Sequence, residues 1–357
     1  MNTQKYDYIL VGQGIAGTAL AWHLIEAGKR ILVVNDSTRP SASLVAAGIY
    51  NPLTGRKLVK TWMADTIFPY AVHFYSQLER TLQSRFVYPL PLYRPYRSLD
   101  EQKSYLTYAS EPGIAEYILG ESENQLHRKG LNAPFGGLRI KGAGWIDLAA
   151  VIYKSREIFI ENNQYVDCDF FSKKLTINRD RVHWGEVEAG KVLFCQGVDA
   201  RENSLFDWLP FNPVKGQILD VVFGSYSTSE IVNQGIFILP SPDQRTYRVG
   251  ATYSWHDLDW EITDDGRAYL ENKLRPLVSS EYSIIGQRAG LRPSSKDRRP
   301  LIGLHPAHPT IGVFNGLGTK GVTLAPYFAG EFVQYLENDK ELKSEVNIDR
   351  HFSLYYR

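Results

Sequence analysis

The chain has 357 residues, 43% of them hydrophobic and 13% aromatic, with a formal net charge of +1. That length buries a sizeable core and suits two domains, while near-neutral charge excludes a strong global field for nucleic acid or an anionic membrane surface. The two cysteines, Cys168 and Cys195, have neither metal-ligand spacing nor a disulfide framework. No apolar run reaches the length of a membrane span and no secretory leader is recognisable, so a cytoplasmic globular protein is expected.

The opening residues carry the strongest pattern. Tyr6-Asp7-Tyr8-Ile9-Leu10-Val11 reads as a buried strand, a helical stretch follows to Ala27-Gly28, and Arg30 to Asn35 reads as a second strand. Between strand and helix lie Gly12-Gln13-Gly14-Ile15-Ala16-Gly17, a G-x-G-x-x-G turn in the βαβ setting it needs. Gly12 permits the tight turn, Gly14 lets backbone N–H groups approach a pyrophosphate, and Gly17 lets helix and strand pack closely. The helix N-terminus then turns its positive end to the phosphates. A dinucleotide is the expected ligand. Asn35 and Asp36 end the second strand, where an acidic side chain ordinarily holds a ribose. Asn35 can accept one hydroxyl; Asp36 either substitutes by a one-residue shift or only caps the next turn.

Residues 41–48 (S-A-S-L-V-A-A-G) are small and glycine-ended, as a segment passing close to a cofactor must be, and Asn51-Pro52-Leu53-Thr54-Gly55 is a turn. Phe68, Val72, Tyr75 and Leu78 at helical spacing predict a helix over 65–85. Residues 88–96 (Y-P-L-P-L-Y-R-P-Y) read as extended and mark a domain crossing, and 191–197 (K-V-L-F-C-Q-G) read as a buried parallel strand. Segments 218–223, 235–239 and 246–252 read as antiparallel strands, followed by a helix over 264–277 capped from Thr263. A strand over 311–314, a second glycine-rich turn and a helix over 324–336 return the chain to α/β character. The expected fold is α/β: a Rossmann-like nucleotide domain (1–88 with 136–215 and 281–357) interrupted by a β-rich antiparallel, α+β substrate domain (89–135 with 216–280).

Several motifs then occur together in order: the 12–17 turn, Ala46-Ala47-Gly48, Val192 to Gly197, Pro213-Val214-Lys215-Gly216-Gln217, Val249-Gly250-Ala251-Thr252, Gly290-Leu291-Arg292-Pro293, 297–303 (D-R-R-P-L-I-G) and 316–326 (G-L-G-T-K-G-V-T-L-A-P). On these the chain resembles the FAD-dependent amino-acid and amine oxidoreductases of the D-amino-acid oxidase superfamily, especially glycine and sarcosine oxidase-like members. Its closing G-L-G-T-K-G is also similar to the flavin domain of the bacterial enzyme that trims a carboxymethylaminomethyl group on tRNA. The resemblance implies FAD as cofactor and oxidation of a C–N bond by hydride transfer to flavin N5, followed by imine hydrolysis. The substrate implied is a small amino acid or secondary amine bearing a carboxylate, with oxygen or another carrier as electron acceptor.

The resemblance also implies roles for individual residues. Ser43, Ala46, Ala47 and Gly48 run beside flavin and pyrophosphate, with Cys195 and Gly197 at the end of their strand. Phe170 and Phe171 approach the adenine or are core residues. Gly316, Leu317, Gly318, Thr319, Lys320 and Gly321 bring backbone N–H groups and a helix N-terminus to the flavin N1–C2=O edge, and Lys320 adds positive charge or is merely solvated. Arg292 is the expected partner of a substrate carboxylate or flavin carbonyl, because its donor fork matches a carboxylate; the alternative is an ion pair with Asp297, which with Pro300 reads as structural. Tyr253, Trp255 and His256 line an aromatic amine pocket or belong to the core, and no general base is assigned. Arg56, Lys57 and Lys60, near Trp62, form a solvated face or meet an anionic substrate. With no cysteine in 292–303 and no histidine in 41–48, FAD is expected to be non-covalent. A tRNA partner is the competing reading, and a flavin module without amine chemistry is the third.

Overall fold

The computed structural model describes residues 4–55, 57–121, 128–170, 174–243 and 245–356. The chain opens with β1 (Gln4–Val11), α1 (Ile15–Glu26) and β2 (Ile31–Asn35), the expected βαβ unit, then a short α2 (Ala42–Val45) and α3 (Ala64–Leu82). β3 (Leu92–Pro95), α4 (Leu99–Ala109), β4 (Ile118–Glu121) and β5 (Gly137–Ile140) lead to α5 (Leu148–Glu161), β6 (Tyr165–Asp167) and β7 (Val187–Phe194). β8 (Val214–Phe223), β9 (Ile231–Asn233), β10 (Phe237–Pro240), β11 (Thr246–Gly250) and α6 (Asp264–Leu274) follow. β12 (Tyr282–Arg292), β13 (His308–Asn315) and α7 (Gly321–Asn338) complete the main elements. The fold is mixed α/β, as the sequence predicts, with small shifts of boundary. α6 stops at Leu274 and continues as a 3₁₀ turn, because Pro276 removes a backbone donor. The strand expected at 235–239 runs over Phe237–Pro240 as β10, preceded by a separate short strand β9 at Ile231–Asn233, and α7 starts three residues earlier than the apolar spacing suggested.

Strands β6, β2, β1, β7 and β13 lie side by side and parallel. Leu10 stands opposite Val33 on one flank and Leu193 on the other. Strand alternation sends Tyr8, Leu10, Ile31, Val33 and Leu193 into a core with α1, α3 and α7. Ile9, Val11, Leu32, Val34, Val192 and Phe194 go to the opposite core with Phe206 and Leu209. Both faces are covered, which is why these strands read as unbroken apolar runs. The helical layer is tied by polar contacts as well: Tyr75 Oη donates to Val322 O (2.8 Å), and His23 Nε2 lies 2.9 Å from Pro326 O.

The second sheet runs β12-β8-β11-β10-β9-β3-β5-β4. It is antiparallel apart from the β9–β3 pair. β12 pairs with β8 along its length, from Val214 opposite Arg292 to Phe223 opposite Tyr282. Leu219, Val221, Ile238, Tyr247 and Val249 pack beneath Leu270 and Leu274 of α6. Among the described residues no helix is long and apolar enough to cross a membrane.

Candidate active site

The parallel strands end at Val11, Asn35, Phe194 and Asn315. Beyond their carboxyl ends, where ligands of open α/β sheets bind, lies a cavity of ≈ 470 Å³. Its far wall is the antiparallel sheet, through Gly216, Ile218, Gly250 and the segment Gly290 to Arg292.

The nucleotide end is walled by backbone. Gly12 has φ +98°, and a Cβ there would stand 2.7 Å from Cys195 O. A Cβ on Gly17 would stand 1.9 Å from Gly12 O, so helix α1 can approach its own turn only with glycine at that position. Gly14, Ile15 and Ala16 open the N-terminus of α1 onto the cavity, and Ile15 N donates to Ser43 Oγ (3.0 Å). Ala46, Ala47, Gly48, Cys195 and Gly197 line the same space. Burial pushes the Cys195 thiol well up, so it presents no thiolate there.

The two ribose candidates have other work in this structure. Asn35 Oδ1 accepts from Gln13 N (2.8 Å) and its amide nitrogen donates to Tyr165 Oη (3.3 Å), so Asn35 fixes the glycine turn. Asp36 accepts from Thr38 N (3.0 Å) and Thr38 Oγ1 (2.5 Å), the turn-capping alternative. Those bonds, with Arg39 beside it, hold its carboxyl below the usual range despite some desolvation. Both residues still line the cavity. Phe170 lines it too and stacks on Trp184 (5.1 Å between centroids), whereas Phe171, like Arg56, lies outside the described residues. Sequence reasoning missed Arg156 and Arg39. Arg156 Nε donates to Gln13 Oε1 (2.6 Å) with its guanidinium 5.4 Å from the Tyr165 ring. Arg39 joins Asp36 (3.4 Å), Asp169 (3.2 Å) and Asp199 (3.4 Å) in the cavity lining. Neither belongs to a local motif, so spacing along the chain carried no signal for them.

At the other end stands Arg292. Its guanidinium makes long contacts to Lys215 O (3.3 Å) and Thr252 O (3.4 Å) and lies 5.5 Å from the Tyr253 ring. Burial lowers its pKa, opposed by Tyr253, and among the described residues no carboxylate pairs with it. The alternative ion pair is absent because Asp297 is taken by Arg350 (3.0 Å) and approached by His351 (3.7 Å). Gly216, directly across the ladder from Gly290, explains itself here: a Cβ would meet Arg292 Nη2 at 2.1 Å. Tyr253 and Trp260 line this end, with Trp255 against Tyr253 (4.8 Å) and half exposed; His256 is exposed and outside the lining.

The second glycine turn divides. Leu317, Gly318, Thr319 and Gly321 line the cavity, as does Val322 in the first turn of α7, which has no side-chain cap. Gly316 and Lys320 do not, contrary to expectation. Gly316 packs toward Leu301, and Lys320 has its ammonium pKa lowered by burial and by neighbouring Arg299, whose guanidinium covers Trp62 at 4.2 Å. Lys60 is held by Asp65 (2.6 Å) and Glu116 (3.3 Å); neither it nor exposed Lys57 reaches the cavity.

A trough floored by glycine, alanine and serine, facing two helix N-termini and closed where an extra Cβ would strike backbone, fits the pyrophosphate and ring system of a flavin dinucleotide. The comparisons with known proteins agree. A family model described as FAD dependent oxidoreductase matches residues 7–335. Glycine oxidase of Bacillus subtilis is 24% identical over 97% of this chain and 95% of its own length. The tRNA 5-methylaminomethyl-2-thiouridine biosynthesis bifunctional protein MnmC of Shewanella amazonensis is 23% identical over 90% of this chain and 55% of its own length; the chain thus spans little more than half of such relatives. Iminodiacetate oxidase from Chelativorans sp. BNC1 superposes with a TM-score of 0.76 at 19% identity, over 96% of this chain and 98% of that one. L-alpha-Glycerophosphate oxidase from Mycoplasma pneumoniae, solved with FAD bound, gives the same TM-score at 17% identity over 96% and 99% of the two chains. Fold, trough and family match converge on one conclusion: the chain belongs to the FAD dependent oxidoreductase family, and FAD is its cofactor.

Proposed function

We propose that this enzyme oxidises the C–N bond of a small amino acid or secondary amine that carries a carboxylate, with Arg292 as the carboxylate anchor. The observation that carries this reading is a largely buried guanidinium on the cavity wall, beside Tyr253, with no protein carboxylate to neutralise it among the described residues. Such a group favours an anionic ligand that completes its donor fork. FAD supplies the two-electron acceptor for the C–N bond. Gly12, Gly14, Ile15, Ala16, Ser43, Ala46, Ala47, Gly48, Gly197, Leu317, Gly318, Thr319 and Gly321 would hold it, with Gly17 letting α1 close on the turn. Attachment is non-covalent in this reading, since Cys195 is a buried thiol.

The chain's own residues act by positioning. Arg292 fixes the carboxylate, and Tyr253 with Trp260 narrows the amine end and excludes water. The carboxylates lining the cavity, Asp36, Asp169 and Asp199, all stand at the nucleotide end. No side-chain base is therefore assigned, and the amine reacts as its neutral form. Lys320 is given no substrate contact. The nucleotide domain is drawn from 1–88, 136–215 and 281–357 and the substrate domain from 89–135 and 216–280, with β5 and β12 reaching from the former into the sheet of the latter.

Anaerobic visible spectra before and after a panel of glycine, N-methyl amino acids, iminodiacetate and neutral amines test the reading. Bleaching by a carboxylated amine and not by its decarboxylated counterpart is expected. Equal bleaching by both removes Arg292 from its role, and readmitted air separates oxygen from another acceptor. A second reading takes a tRNA-borne, amino-acid-like substituent as substrate. It is favoured by half-exposed Tyr253 and Trp255 beside the cavity, a surface on which a base can stack, and by the likeness to the MnmC relatives. Salt-dependent retardation of tRNA would support it, and no binding at low salt would set it aside.

A further inference from the structure

Next to the cavity lies a second pocket of ≈ 260 Å³, lined by Arg94, Arg97, Glu101, Tyr105, Tyr269 and Lys273. Asn233 and Gly235 line both spaces, so the two adjoin. Between them stands Gly235, whose φ is +83° and whose missing Cβ would stand 2.9 Å from Arg97 Nη2.

Three cations face one carboxylate in this pocket, and that carboxylate is engaged elsewhere. Glu101 accepts from Arg97 N (2.6 Å) while its own N–H donates to Ser98 Oγ (3.2 Å), a reciprocal cap at the start of α4. Arg94 is only 8% exposed, its Nε has no hydrogen-bond partner, and its guanidinium lies 5.2 Å from the Tyr105 ring. Burial pushes its pKa down, with Tyr105 and Glu101 opposing. Among the described residues no carboxylate stands within ion-pair distance of Arg94, Arg97 or Lys273. A buried guanidinium with an orphaned donor is costly to keep without a counter-ion, and the two exposed cations beside it add to the same field.

We propose that this pocket is a distal-anion subsite, taking a phosphate or carboxylate at the far end of the amine whose near carboxylate meets Arg292. The substrate class is then a doubly anionic amine; this assignment rests on the reading given under Proposed function. The amine passes Gly235, shared by both linings, where a side chain would obstruct it.

Two measurements on the FAD-loaded protein test the subsite independently of turnover. Calorimetric titration with inorganic phosphate, and separately with malonate, is expected to show binding that survives in Arg292→Gln and weakens roughly ten-fold or more in the Arg97→Ala/Lys273→Ala double variant, both being exposed side chains whose loss spares the core. No binding of either anion, or binding unchanged in the double variant, overturns the proposal. The second measurement compares N-alkyl glycines ending in phosphate, carboxylate or hydroxyl. An anionic terminus is expected to lower KM roughly ten-fold, an advantage that disappears in the double variant, and the preferred terminus identifies the anion. Equal KM for all three termini overturns the subsite and leaves the amine reading standing. Phosphate binding lost in the double variant, together with no oxidation of any amine, keeps the subsite and sinks the amine reading.

Discussion

The two ends of the cavity are built differently. At the nucleotide end the walls nearest the glycine turn are backbone, glycine, alanine and serine, and most of those groups lie within a few residues of one another in 12–17 and 43–48. At the amine end each group comes from a different strand: Gly216 from β8, Tyr253 from just beyond β11, Arg292 from the last residue of β12. A cofactor common to many substrates is met by main-chain geometry, and a particular substrate by side chains that only sheet pairing brings together. The first end therefore tolerates almost no added volume, and the second almost no change of charge or position.

The sharpest way to break the contrast is Gly17→Ala. Its Cβ would meet a backbone oxygen at 1.9 Å, so overpacking is expected to cost about 1–3 kcal/mol of stability and most of the bound FAD. The flavin-to-protein absorbance ratio after purification reads it; a normal ratio would mean that the turn yields.

Arg292→Ala should do the converse, retaining FAD while kcat/KM for the carboxylated amine falls roughly 30-fold or more, as expected for losing a partner worth about 2–5 kcal/mol. Loss concentrated in KM identifies a binding role, and Arg292→Lys should not restore it fully. Gly216→Ala sharpens the point: it keeps the arginine but displaces its guanidinium, for a fall of roughly ten-fold or more. Combined with Arg292→Ala it should add nothing, since both act on one group.

Smaller effects belong to charges outside the cavity. Burial alone would raise the Asp297 pKa, but Arg299 N–H and the Arg350 guanidinium hold it below the usual carboxylate range. Its stabilising contribution is present above the unfolded value of about 4 and is lost as pH falls through the lowered folded value. Asp297→Asn should cost at most about 1 kcal/mol at neutral pH, with the Tm gap closing in acid. Lys320 has the opposite sign. Its charged form is disfavoured in the fold, so Lys320→Met should gain a few tenths of a kcal/mol, on the order of 0.5, at neutral pH. That gain shrinks as pH rises past the lowered value toward about 10.4. A rise in KM would instead return Lys320 to the substrate contact that the sequence suggests.

Legibility follows the same division. Residues 4–35 could be read directly because strand, glycine turn and helix are contiguous and each constraint is local: a tight turn, a helix start, alternation of apolar side chains across a covered sheet. The small side chains of Ala46 to Gly48 could be read in the same way, whereas the glycine turn before α7 could be read only in part, since Gly316 and Lys320 stay out of the cavity lining. Gly216 could be singled out as part of a motif, but its reason could not, because the guanidinium that fills its missing Cβ arrives from β12.

By itself, then, the sequence determined a nucleotide-binding α/β fold, since that depends on periodicity and on glycines whose need for small volume is written locally, while the FAD family and the arginine to watch came from the resemblance its ordered motifs carry. Only the tertiary structure decided that Asn35 locks the turn, that Asp36 caps its own loop, and that Lys320 is partly buried near Arg299, outside the cavity lining. It alone shows that Arg292 lacks a carboxylate partner among the described residues and that Arg94, Arg97 and Lys273 gather beside the cavity. Charge pairing and orphaned donors depend on which side chains converge from distant strands and helices, and no spacing along the chain encodes that convergence.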